Sequence, residues 1–354
     1  MCGLILLLSG LRAGAQDQDL GKLTVDARTA HQKGDYMGAL TLYKRALEIQ
    51  VKSLEPNHPD VATSLNNLAV IYQDEYLYSQ AEPLYQQALG IWEKTPGMDA
   101  QAANCMSNLA DLYHDEHKDA QAEPLYNHAL KIWAKTGQSD SPASISALAT
   151  LGDIYHSQDQ DNRAESVYIQ ALAGWKKAGQ MESPDATRTL VRLGDIYNSQ
   201  NKYDEAASQY QRAVTIWENN GQSENAETIP TMNNLAQIYR SQARYSEAEP
   251  LLKNVLATKQ RTLGANDLEL AESIANLALL YNCEGKYAEA EPLYMKAAHI
   301  REANLGPQDP QVLQILEIYS SMLRQEGKKD EARKIESRTE KIRTESLQEA
   351  APRS

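Results

Sequence analysis

Apolar residues recur along this chain at helical spacing, in paired stripes. Leu65, Leu68, Ala69 and Tyr72 fall at i, i+3, i+4 and i+7, one face of an α-helix. After the polar turn Gln73-Asp74-Glu75, the residues Ala81, Leu84, Tyr85, Ala88 and Leu89 take up the same spacing. The pair then repeats as a unit. Tyr72 is followed by Tyr113, Tyr155, Tyr197, Tyr239 and Tyr281. Ala81 is preceded by Ala39 and followed by Ala122, Ala164, Ala206, Ala248, Ala290 and Ala332. The step is 42 residues, except for 41 from Tyr72 to Tyr113 and from Ala81 to Ala122. A fixed period of this size predicts an all-α solenoid of helix pairs, one elongated domain whose core runs on from neighbour to neighbour.

Small residues at 69, 81 and 88 let the two helices of a unit approach closely, with Tyr72 and Tyr85 filling the space beside them. Pro83, Pro124, Pro250 and Pro292 each follow the small alanine. They are expected near a helix start, where the first amide donors have no partner and proline costs little. Glycine and proline between units, as at Pro96-Gly97, Gly137, Gly179, Gly221, Gly264 and Gly306-Pro307, mark a stop after each second helix. The one missing residue is expected in the loop around Thr95 to Met98.

In order, residues 17–32 and 35–53 form an incomplete opening repeat. Six full repeats follow near 60–99, 100–141, 142–183, 184–225, 226–267 and 268–309. An eighth starts at Gln311, and its pattern decays. Its last helix, from Asp330 to about Leu347, is rich in charge (Lys334, Glu336, Arg338, Glu340, Lys341, Arg343). A terminal repeat has no neighbour to cover it, so a polar cap is expected; a basic docking helix is the alternative.

The pattern Leu68-Ala69-x-x-Tyr72, then Ala81, Tyr85 and Ala88, resembles the tetratricopeptide repeat. The longer period and three stretches are similar to the kinesin-light-chain type of that repeat: Asn-His-Pro-Asp-Val-Ala-Thr-Ser-Leu-Asn-Asn-Leu-Ala (57–69), Tyr-Ala-Glu-Ala-Glu-Pro-Leu-Tyr (287–294) and Leu-Gly-Pro-Gln-Asp-Pro (305–310). HEAT and armadillo repeats have a similar length but lack this Ala/Tyr ladder. The resemblance covers about residues 20 to 345. It implies a right-handed superhelical solenoid of antiparallel helix pairs, about eight repeats, whose first helices line a concave, partner-binding face.

The net charge of −13 argues against nucleic acid, whose phosphates would repel the chain, and favours basic or neutral partners. Cys2, Cys105 and Cys283 share no motif spacing, so neither a disulfide framework nor a zinc site is expected. The run Leu4 to Leu8, with Ala13-Gly14-Ala15 before Gln16, has the form of a secretory leader, although no Lys or Arg precedes the run. It is too short to span a bilayer, so no integral membrane segment is expected once the leader is removed. The expected organisation is a signal peptide over 1–15, a repeat solenoid over 16–345 and a disordered tail over 346–354. The protein is expected to be secreted or periplasmic. A cytoplasmic adaptor of the kinesin-light-chain kind, or a regulatory subunit, is the alternative; the adaptor needs a heptad coiled coil ahead of the repeats, which residues 1–20 do not show.

Trp92, Trp133, Trp175 and Trp217 occupy one equivalent position on four successive second helices. They read as packing between repeats or as an exposed docking strip. The polar residues of the first helices form ladders. Asn67, Asn108, Asn234 and Asn276 share a level, interrupted by Thr150 and Arg192; Asp111, Asp153 and Asp195 lie one turn on; Arg240 lies further still, and Arg188 projects beside Arg192. Asn side chains can bond the amides and carbonyls of an extended peptide whatever its sequence, and the resemblance implies that role for the Asn ladder. These ten residues form the candidate groove, with an acidic middle and a more basic part toward Arg188, Arg192 and Arg240. Solvated polar residues on a helix are the plainer reading.

A carboxylate clamp would need Lys and Asn where the chain has Ser107, Asp111 and Thr150, so it is rejected. Asp111-x-x-His114 and Asp153-x-x-His156 could place carboxylate beside imidazole for a metal or acid–base pair, but the repeat itself imposes that spacing. No nucleophile elbow, phosphate loop or zinc-protease motif appears. The sequence therefore points to a non-enzymatic scaffold with no cofactor that binds a protein or peptide.

Overall fold

The computed structural model describes residues 20–350 apart from 223 and 225, and side chains as far as 344. Among the described residues there are sixteen helices and no strand. The first helices of the pairs are α1 (residues 20–32), α3 (Pro59–Asp74), α5 (Asp99–Asp115), α7 (Pro142–Ser157), α9 (Pro184–Ser199), α11 (Thr228–Ser241), α13 (Leu268–Glu284) and α15 (Pro310–Glu326). The second helices are α2 (Tyr36–Ser53), α4 (Tyr78–Trp92), α6 (Asp119–Lys135), α8 (Asp161–Ala178), α10 (Tyr203–Asn219), α12 (Tyr245–Thr262), α14 (Tyr287–Leu305) and α16 (Lys329–Ala350).

The chain divides into two compact units, one ending at Thr189 and one beginning at Leu190. In the first, each helix from α2 to α8 packs on the next, and α5 also touches α3 and α7, so these first helices form a layer. In the second, each helix from α10 to α16 packs on the next. Pairing is antiparallel: partners such as Asp111 and Tyr126, or Gln73 and Tyr85, meet across the two helices from opposite sides of the turn that joins them.

That turn is built one way in every pair. Its tip is left-handed at Gly34, Tyr76, His117, Asp159, Asn201, Ala243, Gly285 and Gly327. The next amide then closes onto a carbonyl five residues back, that of the first-helix tyrosine in the six middle pairs, as in Lys118 N to Tyr113 O at 2.7 Å and Lys286 N to Tyr281 O at 2.8 Å, and that of Ala30 and Leu323 in the first and last. At Ala243 (φ 57°) the Cβ makes this conformation costly by roughly 1–2 kcal/mol, a cost glycine escapes while losing more chain entropy on folding. Ala243→Gly is therefore expected to stabilise the protein by roughly 0.5 kcal/mol. A thermal midpoint that falls would show that the alanine methyl matters more than the backbone.

Several first helices begin on side-chain caps: His58 Nδ1, Ser141 Oγ, Asp267 Oδ1 and Asp309 Oδ1 each accept a first-turn amide, whereas α5 and α11 start without one. The prolines sit deeper than the sequence suggested. Pro83, Pro124, Pro250 and Pro292 are each the sixth residue of their helix. They are tolerated because they are exposed, as are residues 79, 120, 246 and 288, whose carbonyls lose an amide partner. The one-residue deletion falls where expected: α4 stops at Trp92, whereas α6 runs two residues past Trp133.

The core is a ladder of alanine and tyrosine. Tyr85, Tyr126, Tyr168 and Tyr210 are fully buried, against buried Ala81, Ala122, Ala164 and Ala206 of the same helices. All four tryptophans are buried, so they pack the core rather than form a docking strip. In the next two pairs their position holds Lys259 and Arg301. These reach the following first helix, with Lys259 Nζ 3.3 Å from Glu269 and Arg301 Nη1 3.2 Å from the Gln311 carbonyl.

The terminal helix α16 is a cap tied by charge. Arg338 pairs with Glu302 at 2.5 Å, Arg343 with Glu317, and Arg324 with Glu336. These arginines are engaged inside the fold, which argues against the basic docking helix. Its backbone is helical through Ala350, five residues past the expected end of the solenoid. The expected leader over 1–15 and the last residues, 351–354, lie outside the described residues. No described helix is long and apolar enough to cross a membrane.

Candidate functional site

The acidic ladder is occupied from within. Tyr126, Tyr168 and Tyr210 donate their hydroxyls to Asp111, Asp153 and Asp195, the last two at 2.5 and 2.7 Å. These aspartates therefore hold buried phenols, and their place in the groove is secondary to that bond. Where the register carries Val70 or Leu279 instead, the tyrosine turns to the residue one position past the first-helix tyrosine. Tyr85 donates to Gln73 at 2.9 Å, and Asn282 lies 3.5 Å from the Tyr294 hydroxyl.

The Asp/His pairs suggested by sequence do not form. His114 Nδ1 bonds Asp119 and His156 Nδ1 bonds Asp161, each at 2.7 Å, across the turn and away from Asp111 and Asp153. The helical turn from Asp to His sends the two side chains to different partners. No group of three or more potential ligands that could hold a metal occurs among the described residues.

Burial pushes the Asp111 carboxyl up to about 6, only partly offset by the Tyr126 hydrogen bond; the neighbouring Asp115 adds to the rise. The unfolded value is about 3.9. The ionised form thus costs stability above about pH 6, and the cost fades as pH falls toward 4. Asn at this position still accepts from Tyr126 but cannot ionise. Asp111→Asn is expected to be about 1–3 kcal/mol more stable than wild type at pH 7.5, with the difference cut to about a third at pH 4.5 and gone near pH 3, by urea unfolding. An offset that is the same at all three pH values would rule out this cause.

A second device ties neighbouring pairs together, and sequence reasoning missed it. The glutamate of each Ala-Glu-Pro accepts from the next pair. Tyr113 donates to Glu82 at 2.8 Å, Tyr281 to Glu249 and Tyr319 to Glu291 at 3.0 Å, while Arg163 pairs with Glu123 at 2.9 Å. A cation sits over the first-helix ring: Lys118 on Tyr113, Arg163 on Tyr155, Arg244 on Tyr239, Lys286 on Tyr281. The signal was available as a basic residue five places after most of these tyrosines.

The remaining groove candidates separate. Asn67 and Asn108 are half-buried, and Asn108 donates to Asn66 at 3.1 Å, joining α5 to α3. Arg188 and Arg192 are exposed, and Arg188 pairs with Asp185. In the second unit, Asn234, Arg240 and Asn276 converge on one cleft of about 190 Å³ between α11, α12 and α13. Asn233, Gln237 and Glu272 complete its polar walls, and Ala236 and Leu252 its floor. Asn234 also hydrogen-bonds the buried Tyr210 hydroxyl, whose own proton goes to Asp195. Cys105 is buried with its thiol pushed up to about 12 by desolvation, and is inert.

Helix pairs stacked with this Ala/Tyr register define a helical-repeat scaffold, and comparison with known proteins says which. A tetratricopeptide repeat model matches residues 27–94, 77–135, 99–177, 185–261 and 267–345, so the chain belongs to the tetratricopeptide repeat family. Nephrocystin-3 of Xenopus laevis is 46% identical over 50 residues, covering 14% of this chain and 4% of that protein. The chain thus matches only a small part of that relative's length. Among solved structures, the apo form of RapI aligns over 80% of this chain and 97% of its own at 14% identity, with a TM-score of 0.55. A signal-transduction ATPase with numerous domains from Pyrococcus horikoshii, which carries a tetratricopeptide repeat sensor, aligns over 96% of this chain and 49% of its own at 16% identity and TM-score 0.53. A putative kinesin light chain from Podosopora anserina, built of nearly identical repeats, aligns over 58% and 98% at 23% identity and TM-score 0.47.

Proposed function

We propose that this protein is a non-catalytic scaffold that binds an extended peptide segment of a partner along its first helices, with the α11–α13 cleft as the principal contact. One observation carries this reading: Asn234, Arg240 and Asn276, on two first helices, open onto the same cleft. Among the described residues Asn276 has no hydrogen-bond partner, so its amide and carbonyl are available to a peptide backbone. The fold commonly mediates protein–protein interaction, and its family is typically non-catalytic.

The test is a random dodecapeptide display selection on the immobilised full-length chain, followed by affinity measurement with one selected peptide. Asn276→Ala, alone and with Asn234→Ala, is expected to weaken binding at least tenfold, about 1.4 kcal/mol, with circular dichroism unchanged for the single variant. Equal affinity in wild type and both variants would place the peptide elsewhere on the protein.

A further inference from the structure

Six second helices carry a tyrosine at one register: Tyr43, Tyr85, Tyr126, Tyr168, Tyr210 and Tyr294. Between the last two, 42 residues from each, stands Leu252; 42 residues beyond Tyr294 stands Glu336. The first-helix residue at the matching register answers to what faces it. Gln73 accepts from Tyr85, and Asn282 lies beside the Tyr294 hydroxyl. Arg324, in the last pair, forms a two-pronged ion pair with Glu336, Nε to Oε1 and Nη2 to Oε2, both at 2.5 Å.

Arg240 holds the register of Arg324 but faces Leu252. It is half-buried, and among the described residues it makes no hydrogen bond or ion pair. Beside it, Asn233 Oδ1 is buried with no donor. The cleft thus exists because leucine is shorter than the tyrosine of other pairs, and its guanidinium lacks the carboxylate that completes the same site two pairs on.

We propose that the cleft is the subsite for an aspartate or glutamate side chain of the bound peptide. Its carboxylate takes on Arg240 the place that Glu336 takes on Arg324, and a peptide N–H is donated to Asn233 Oδ1. The inference rests on the peptide-groove reading above and names the residue that groove selects. A planar guanidinium matches a carboxylate with two parallel bonds, and such charge-assisted pairs are the strong ones when partly desolvated. A basic side chain would meet Arg240 head on. Glu272, exposed on the rim, disfavours a second acid immediately beside the first, so the site selects one acid rather than an acidic run.

The test repeats the display selection on the wild-type full-length chain, on Arg240→Ala and on Leu252→Glu. The last supplies the missing carboxylate from within, as the terminal pair does. Wild type is expected to enrich peptides with Asp or Glu at one position, and both variants to lose that preference. A selected peptide should bind wild type at least tenfold more tightly than either variant. Changing its acid to the amide should cost a similar factor on wild type and nothing on Arg240→Ala. Peptides enriched without an acid, or an acid equally preferred on Arg240→Ala, would overturn the subsite and leave the groove reading standing. If no peptide is enriched on any of the three chains, the groove reading falls and the subsite with it. Circular dichroism melts on the variants exclude unfolding as the cause of lost binding.

Discussion

Trp133→Ala is expected to cost about 3–5 kcal/mol, the largest single loss of any substitution considered in this protein. Trp133 is fully buried on α6, and its indole Nε1 donates to Asn104 Oδ1 at 3.2 Å. Truncation removes an aromatic body from a close-packed site and leaves the asparagine oxygen without its donor. The consequence should also be local. In a repeat array each pair draws its stability from its neighbours, so a lesion in one interface opens that region before the ends. Hydrogen exchange should quicken in α5, α6 and α7 while α13 and α14 keep their protection. A loss below 1 kcal/mol in urea unfolding, or uniform exchange along the chain, would contradict this account. Trp133→Phe keeps most of the ring area but not the donor, and should fall between the two.

The fold was legible because the repeat writes its core eight times. A single Leu-x-x-Leu-Ala-x-x-Tyr stripe could be any amphipathic helix; Tyr72, Tyr113, Tyr155, Tyr197, Tyr239 and Tyr281 in register could not. The turns were legible to within a residue or two for the same reason. The prolines were misplaced because sequence gives their spacing from alanine but not the start of the helix. Only the structure shows exposed carbonyls four residues back that can turn to water.

The site was less legible, because a ladder of polar residues looks the same whether it faces solvent or its own second helix. Asp111, Asp153 and Asp195 lie one turn from the Asn ladder, yet each is held by a tyrosine fifteen residues on. That spacing of fifteen was present in the sequence, and reading it would have moved the aspartates from groove to core support. His114 and His156 were paired with the wrong acid, since Asp119 and Asp161 lie across the turn rather than along the helix. The informative feature was an exception rather than a repeat: Leu252, where the register demands tyrosine, opens the cleft that Asn234, Arg240 and Asn276 share.

Gly152→Val is expected to destabilise the protein by about 3 kcal/mol, through a contact unique to its kind of pair. At this register the other first helices carry Ala27, Ala69, Ala110, Ala236, Ala278 and Ser320, but α7 and α9 carry Gly152 and Gly194. A Cβ at 152 would lie 2.3 Å from Tyr168 Cε1, and one at 194 would lie 2.7 Å from Tyr210 Cε1. The ring of Tyr168 cannot readily yield, since it is fully buried and its hydroxyl is anchored on Asp153. Glycine here lets the phenol lie directly against the helix backbone, at the usual helix-propensity cost of about 1 kcal/mol relative to alanine. Gly152→Ala recovers that propensity, but its Cβ already meets the anchored ring, so it should still cost about 1–2 kcal/mol. Valine adds two methyls with no such compensation. The decisive comparison is Gly152→Val in a Tyr168→Leu background, which reproduces the leucine that the α11–α12 pair carries opposite Ala236. With the ring gone, valine should cost less than about 1 kcal/mol, giving a coupling near 2 kcal/mol in a double-mutant cycle. Additive effects would mean that the strain arises within α7 and not from the approach of Tyr168.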